Sequence, residues 1–396
     1  MRTPTFLRDA YRRSLRTEVV ACRAQGDGFI AITPDTIVFP GGGGQPHDLG
    51  TLAGQPVLSV RADADGGWVH ELPGAVPRGS AQLELDWDRR YDHMQQHSAQ
   101  HLITALANDQ LGLATMAFHL GAERSSIDLD ASNIEASVLG ELEAMVQAEI
   151  RAALPLQIRW VQPEELDGLG VRSRGLPADH RGKVRLVSIE GVDRNTCGGT
   201  HVAGTAELQL VVFVGTERVH GGITRLHFVA GQRAVDLLRS GLIRERALTL
   251  SLRCAPPEHS AAVDRVLAEQ SEQARELRRL RAELAELLAA ACLVGASGGL
   301  AHLHRDADDL PLLQAVASGA MALQPDALVL LTSGAPAGSF LLAGPTPLVA
   351  TLGPELLPLI AGRGGGARGR FQGRAQRQDL RDQALARLRE LLAAQP

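Results

Sequence analysis

Lysine is nearly absent from this chain of 396 residues: Lys183 is the only one among 40 basic side chains, and arginine supplies the rest. That bias follows base composition and carries no functional conclusion. Aromatic residues are also few, at 3%, yet 44% hydrophobic and 21% charged residues are proportions of a soluble globular protein, long enough for two or three domains with separate cores. No run approaches the ~18 apolar residues of a membrane span, and the first residues lack the apolar stretch of a signal peptide, so a cytoplasmic protein is expected. The four cysteines, Cys22, Cys197, Cys254 and Cys292, are too scattered for a disulfide framework, which agrees with a reducing compartment. A net charge of -5 excludes wholesale coating of nucleic acid but leaves room for a local basic patch. Also missing are the Asp-His-His run and aspartate clusters of a two-metal phosphoesterase. The Gly run in Phe39-Pro40-Gly41-Gly42-Gly43-Gly44-Gln45-Pro46 lacks the Lys-Ser/Thr and the following helix that a phosphate-binding P-loop needs.

Two short clusters stand out against these absences: His97-Ser98-Ala99-Gln100-His101 and Cys197-Gly198-Gly199-Thr200-His201. His93 to Leu111 reads as a helix, because Met94, His97, His101, Leu102, Ala105 and Leu106 recur at helical intervals with no Gly or Pro before Gly112. On that helix His97 and His101, four residues apart, project from one face and can share a metal ion. Gly198 and Gly199 permit a tight turn that brings Cys197 and His201 back toward a common centre. Alone, each half is weak: such histidine pairs occur by chance, and Cys197 reads as a small buried hydrophobe. Together they offer three imidazoles and one thiolate, the donors of a tetrahedral zinc ion, one per chain.

The expected architecture is α+β. Residues 1 to 90 read as a small β-barrel: Glu18 to Ala21 and Phe29 to Thr33 flank Gly26-Asp27-Gly28, and Val57 to Arg61 and Trp68 to Leu72 flank Asp65-Gly66-Gly67. Residues 91 to 255 form the α+β domain that carries the clusters. In it, Ser132 and Glu135 suit a capping box for a helix that buries Ile134, Val138, Leu142, Met145, Val146 and Ile150 and ends before Pro155. Strands are expected at Gln157 to Val161, Lys183 to Ile189 and Leu208 to Val214. Residues 256 to 291 are a helical linker with heptad-like Val263, Val266, Gln270, Ala274, Leu277, Leu280, Leu284 and Leu287. That linker is either a spacer packed on its own chain or a dimerising coiled coil. Residues 292 to 396 form an α/β domain with strands at Ala327 to Thr332 and Ser339 to Ala343. Its last 36 residues carry eight Arg against three acidic residues, either a nucleic-acid surface or a solvated Arg-rich helix.

Asp86-Trp87-Asp88-Arg89-Arg90, Met94-Gln95-Gln96 with the first histidine cluster, the Gly42-Gly43-Gly44-Gln45 loop and Cys197-Gly198-Gly199-Thr200-His201-Val202 resemble the alanyl-tRNA editing proteins, freestanding relatives of the editing domain of alanyl-tRNA synthetase. The heptad segment and the tail, with Gly364-Gly365-Gly366 and Gly373-Arg374-Ala375-Gln376, are similar to the DHH-associated C-terminal domain of the family's long form, which implies tRNA binding and oligomerisation, including a homodimer. The tail departs from the family in its shorter Gly run. With only about 90 residues before the metal clusters, the chain resembles an editor rather than a synthetase.

The resemblance implies hydrolysis of the ester joining Ser or Gly to tRNA(Ala), with His97, His101, Cys197 and His201 as zinc ligands. It also implies catalytic roles for Gln45, from the Gly-rich loop, and for His119, where the alternative is a structural hydrogen bond in a strand. Substrate or tRNA contacts are expected from Gly42, Gly43, Gly44, Thr200, Arg225, Gly364, Gly365, Gly366, Arg368, Arg370 and Arg374; for Arg225 the alternative is a surface ion pair. Four protein ligands close a tetrahedral zinc, whereas catalytic zinc keeps a position open, so either one ligand is loose, the metal expands to five-coordinate, or it orients the amino acid while a nearby water attacks. No Glu stands beside the histidines as a general base, which leaves a hydroxyl of the terminal ribose as a helper. The rival reading is a zinc-stabilised RNA-binding module without catalysis.

Overall fold

The computed structural model describes residues 3–172 and 182–394 and divides into two compact units, Met1–Ala247 and Leu248–Pro396. In the first unit the opening segment builds two antiparallel four-stranded sheets. One runs Ser14–Val19, Gly79–Leu85, Gly50–Leu52, Gln55–Pro56; the other runs Ala21–Gln25, Gly28–Thr33, Trp68–Leu72, Ser59–Ala62. They enclose one core in which the Phe6 ring meets Phe39 and Trp68 edge-on at 5.7 and 5.4 Å. The hairpins predicted around Gly26 and Gly66 are present. In place of one continuous ladder, the small barrel expected here is built, among the described residues, from two four-stranded sheets around one core. The predicted Glu18 to Ala21 strand is the joint between them, and Pro56 lacks the N–H that would extend its edge.

The helix Trp87–Leu111 starts six residues earlier than its apolar spacing indicates. Asp86 caps it, accepting from Arg89 N at 3.1 Å, and Gly112 at φ 67° ends it in the left-handed conformation that glycine favours. Every residue from His93 to Ile103 is buried, so its polar side chains require partners inside the protein. Gln96 pairs with the backbone of Ala230 through both amide atoms, at 2.9 and 3.0 Å, and Gln95 Nε2 donates to Glu207 O at 2.7 Å. Around this helix lie the sheet Val211–Arg218, Thr224–Ala230, Ser125–Leu129, Thr115–Leu120 and the three-stranded sheet Leu156–Val161, Val184–Ile189, Asp193–Thr196. The helix Ala136–Arg151 buries Leu142, Val146 and Ile150 as expected. The capping box of Ser132 and Glu135 does not form: Glu135 itself is the N-cap, and its carboxylate accepts from Asn133 Nδ2 instead. The strand expected from Leu208 begins at Val211, after a short 3₁₀ turn over Thr205–Leu208.

The second unit contains the 36-residue helix His259–Val294 and a five-stranded sheet in the order Leu300–Arg305, Leu328–Ser333, Gly338–Ala343, Arg370–Ala375, Gly362–Ala367. The first pair is parallel and the others antiparallel, and the helices Leu310–Leu323, Thr346–Leu359 and Arg381–Ala393 pack on it. Of the long helix only Ala262, Ala285, Ala289 and Cys292 are buried; Val263, Val266, Leu277, Leu280, Leu284 and Leu287 are exposed. The tail is not an Arg-rich helix throughout. Gly364, Gly365, Gly366, Arg370 and Arg374 belong to a β-hairpin whose turn holds Arg368, and only from Arg381 is the chain helical. No helix among the described residues is long and apolar enough to cross a membrane.

Arg90 and Asp48, both fully buried, fix the β-module onto the start of the Trp87–Leu111 helix. The guanidinium also donates to Ala10 O at 2.9 Å and Ile37 O at 2.6 Å, and Asp48 accepts from Phe39 N at 2.7 Å. Asp48→Ala leaves Arg90 charged and unpaired in the interior, a loss of about 3–5 kcal/mol. Chemical unfolding of the full chain should show it as a lower midpoint; a change under about 1 kcal/mol would contradict this role for the pair.

Candidate metal centre and its cleft

Nε2 of His97 and His201 approach Cys197 Sγ to 3.4 and 3.2 Å, and one donor atom from each of His97, His101, Cys197 and His201 lies within 4.8 Å of all the others. Tetrahedral zinc with Zn–N near 2.0–2.1 Å and Zn–S near 2.3 Å sets its donors roughly 3.4–3.6 Å apart, so the group fits one such ion. The three histidines are almost fully buried and Cys197 is half-buried. Burial alone raises the Cys197 thiol, but the surrounding imidazoles more than offset it and hold the thiol well below its ordinary value, toward the thiolate a metal requires. His201 is lowered to about 3, chiefly by burial, which keeps it a neutral ligand.

Each imidazole is oriented by a partner at its other nitrogen. Thr200 N donates to Gln45 Oε1 at 3.1 Å and Gln45 Nε2 donates to Thr200 Oγ1 at 2.8 Å, which fixes the direction of the amide. His97 Nδ1, 2.9 Å from the same oxygen, is therefore the donor, and its Nε2 lone pair faces the centre. His101 Nδ1 donates to Asp193 Oδ2 at 3.0 Å. Arg172 holds the other Asp193 oxygen at 2.8 Å and also grips Asp109. His201 Nδ1 lies 3.1 Å from Ser98 Oγ, which accepts from Val202 N at 3.2 Å.

The Cys197–His201 turn is strapped by Arg185, whose Nη1 donates to Cys197 O and Gly199 O at 2.8 Å. Glycine is obligatory at position 199, where a Cβ would lie 2.3 Å from His97 Cε1 and 2.8 Å from Gln45 Oε1. The cluster opens into a cleft of about 870 Å³. One wall is the Gly41–Gly44 loop, every residue of which has positive φ. A second wall is Phe118, whose ring stacks on His97 at 5.6 Å; the helix contributes Gln100, Thr104 and Asn108.

The residues singled out in the sequence divide accordingly. His97, His101, Cys197 and His201 converge, and Gly42, Gly43 and Gly44 line the cleft. Gln45 and Thr200 are buried behind His97, hydrogen-bonded to one another, and are not among the residues lining the cleft. His119 and Arg225 are also outside its lining. Arg225 is bidentate to Asp128 at 2.6 and 3.0 Å, and His119 lies 3.6 Å from the same carboxylate, so both take part in an ion-pair network on the sheet. Gly364, Gly365, Gly366, Arg368, Arg370 and Arg374 are all in the second unit. There Arg370 donates to Ser318 Oγ at 2.9 Å and Arg374 pairs with Asp308 at 3.0 Å. Asp193, Ser98, Arg185 and Arg172 escape a reading of the sequence, since no spacing from the clusters marks them; the polar stretch Gln95 to Gln100 inside a core helix is the available signal.

A helix and a strand-linked turn that share a His₃Cys cluster define a class, and the comparisons with known proteins agree with it. Residues 184–227, which include Cys197 and His201, match the family described as the threonyl and alanyl tRNA synthetase second additional domain. The chain is 38% identical to "Alanyl-tRNA editing protein Aarsd1" of Mus musculus over 98% of each chain, and 37% identical to the Danio rerio protein of the same name over 97% and 96%. It is 29% identical to an alanine–tRNA ligase of Halobacterium salinarum over 74% of this chain and 33% of that one. The chain belongs to the alanyl-tRNA editing protein family.

Asp193→Ala should weaken zinc binding about 10–100-fold through loss of the His101 partner. Gly199→Ala should do the same by displacing His97. Competition titration against a chromophoric chelator measures both, and unchanged affinity in the two variants would show that these contacts do not support the ligands.

Proposed function

We propose that this protein is a trans-editing hydrolase that removes Ser, and also Gly, from tRNA(Ala), with one zinc ion on His97, His101, Cys197 and His201. Membership of the editing family supports tRNA(Ala) editing and deacylase activity. The observation that carries the finer reading is the cleft itself: a buried His₃Cys set at the base of an open groove, beside a glycine loop that admits a close approach of substrate. A closed structural zinc needs no such opening.

Zinc held there supplies Lewis acidity and orients the misattached amino acid. The chain does the remaining work. Gln45, Asp193 and Ser98 hold the imidazoles at fixed tautomer and angle. Among the described residues, Gly43 and Gly44, which line the cleft, keep their N–H groups free of backbone partners. No carboxylate is among the described residues lining the cleft; a hydroxyl of the terminal ribose instead relays the proton of the attacking water to the ribose oxygen that departs as the ester bond breaks. The hairpin of Gly364, Gly365 and Gly366, with Arg368, Arg370 and Arg374, meets the tRNA backbone. Two copies associate through the apolar stripe of the His259–Val294 helix, flanked by Arg279, Glu276 and Glu283, as coiled-coil seams are by charged pairs.

Cys197→Ala should abolish zinc retention and reduce deacylation of Ser-tRNA(Ala) at least ~100-fold while RNA binding persists. Full activity without metal would show that hydrolysis does not depend on zinc at this cluster, and no hydrolysis by the zinc-loaded wild type would favour the non-catalytic RNA-binding module. Equal rates on Ser- and Ala-charged tRNA(Ala) would remove the editing assignment. For the stripe, Leu280→Glu with Leu284→Glu should convert a dimer to a monomer in sedimentation velocity; a wild-type monomer would refute the association.

A further inference from the structure

Tyrosine occurs twice in this chain, at Tyr11 and Tyr91, and the two hydroxyls meet on one carboxylate. Tyr11 precedes the first strand, Tyr91 lies near the start of the helix Trp87–Leu111, and the carboxylate is that of Glu207, which follows the last metal ligand, His201, in a short 3₁₀ turn. The Tyr11 hydroxyl is 2.7 Å from both Glu207 oxygens, and the Tyr91 hydroxyl donates to Oε2 at 2.9 Å. The ring of Trp87 packs against both tyrosines, 5.8 Å from Tyr11 and 5.4 Å from Tyr91. Burial, then the hydrogen bond to Glu207, raises both phenols, Tyr91 to about 12, so both remain donors.

The carboxylate acts on the backbone that leaves the Cys197–His201 turn. Ala203 N donates to Glu207 Oε1 at 3.0 Å and to the Tyr11 hydroxyl at 2.7 Å. One residue earlier, Val202 N donates to Ser98 Oγ, the hydroxyl beside His201. Glu207 is also joined to the metal-binding helix through its main chain, where Gln95 Nε2 donates to its carbonyl at 2.7 Å. Three segments far apart in sequence thus converge on one side chain, and two of them carry all four ligands: the helix bears His97 and His101, the turn Cys197 and His201. An ionised carboxylate can accept from both phenols and a backbone N–H at once, with stronger bonds than a neutral acceptor makes.

We infer that Glu207 is a positioning residue of the metal centre: gripped by Tyr11 and Tyr91, it fixes the ligand-bearing turn against the ligand-bearing helix, a role that rests on the zinc reading of the cluster. Metal–ligand distances are defined to within about 0.2 Å, so a tie that slackens by more than that changes the geometry at the ion even while all four ligands stay bound. Arg185 straps the same turn at Cys197 and Gly199, and Glu207 secures it beyond His201. Tyr11 brings the segment before the first strand into the frame of the metal centre, although no ligand comes from that segment.

The test loads the full chain with Co²⁺ in place of zinc and reads its visible absorption, which follows ligand geometry, alongside zinc affinity by chelator competition and thermal unfolding. Glu207→Gln, which keeps the size of the side chain and removes its charge, should shift the cobalt bands and lower zinc affinity about 10-fold, the small end of the range for a lost supporting contact. Tyr11→Phe and Tyr91→Phe should each shift the bands less, and neither should add to the shift once Glu207→Gln is present, because all three act through one carboxylate. Leu142→Ala, in the core of the same unit, is the control: it should lower the unfolding temperature and leave the bands in place. Unmoved bands in Glu207→Gln, tyrosine effects that add in full to it, or an equal shift in Leu142→Ala overturn the inference. A wild type lacking the sulfur-to-cobalt band that Cys197→Ala removes refutes the zinc reading and the inference together; that band present, with Glu207→Gln unmoved, refutes the inference alone.

Discussion

Three imidazoles can aim their Nε2 lone pairs at one point only if each Nδ1 proton has somewhere else to go. In this protein Gln45, Asp193 and Ser98 take those protons, and each comes from a different part of the first unit: the glycine loop, the edge strand of the small sheet and the central helix itself. Gln45 does most, because its amide joins His97 to Thr200 and so ties both metal-binding segments to a third. Such partners set ring orientation and tautomer, which is why a site described by its ligands alone is incomplete.

This arrangement explains the composition of the central helix. A helix buried on all sides is ordinarily apolar, whereas this one carries Gln95, Gln96, His97, Ser98, Gln100 and His101 in succession. Each polar side chain is tolerated because a defined backbone or side-chain group meets it, as Gln96 meets both the N–H and the C=O of Ala230. The buried Arg90–Asp48 pair extends the same logic toward the β-module: it anchors the loop that contains Gln45 next to the start of the helix, so the position of one ligand depends on an ion pair two turns away. A half-satisfied network of this kind is worse than none, and its parts are therefore coupled.

Much of this is legible in the sequence, and the limits have physical causes. The ligands are readable because metal chelation by a helix requires a spacing of four and chelation by a tight turn requires glycine, both local facts. The hairpins around Gly26 and Gly66 are readable for the same reason. Asp193 and Arg172 are not, since they reach His101 across a sheet register that no local pattern encodes. Gln45 stands out in the sequence as a residue that reaches the site from the glycine loop, and it is buried there against His97 and Thr200. His119 and Arg225 are drawn to the site by position in a motif, yet the antiparallel register places both beside Asp128. At a single residue, Val20, one predicted strand divides into two that belong to different sheets.

The same helix does more than carry the cluster. Its periodicity places Gln100 and Thr104 beside His97 and His101 on one face that lines the cleft, and Thr115 Oγ1, from the neighbouring strand, donates to Thr104 Oγ1. The geometry of the cluster and the lining of the cleft are thus properties of one rigid element, and small displacements of the helix would alter both together.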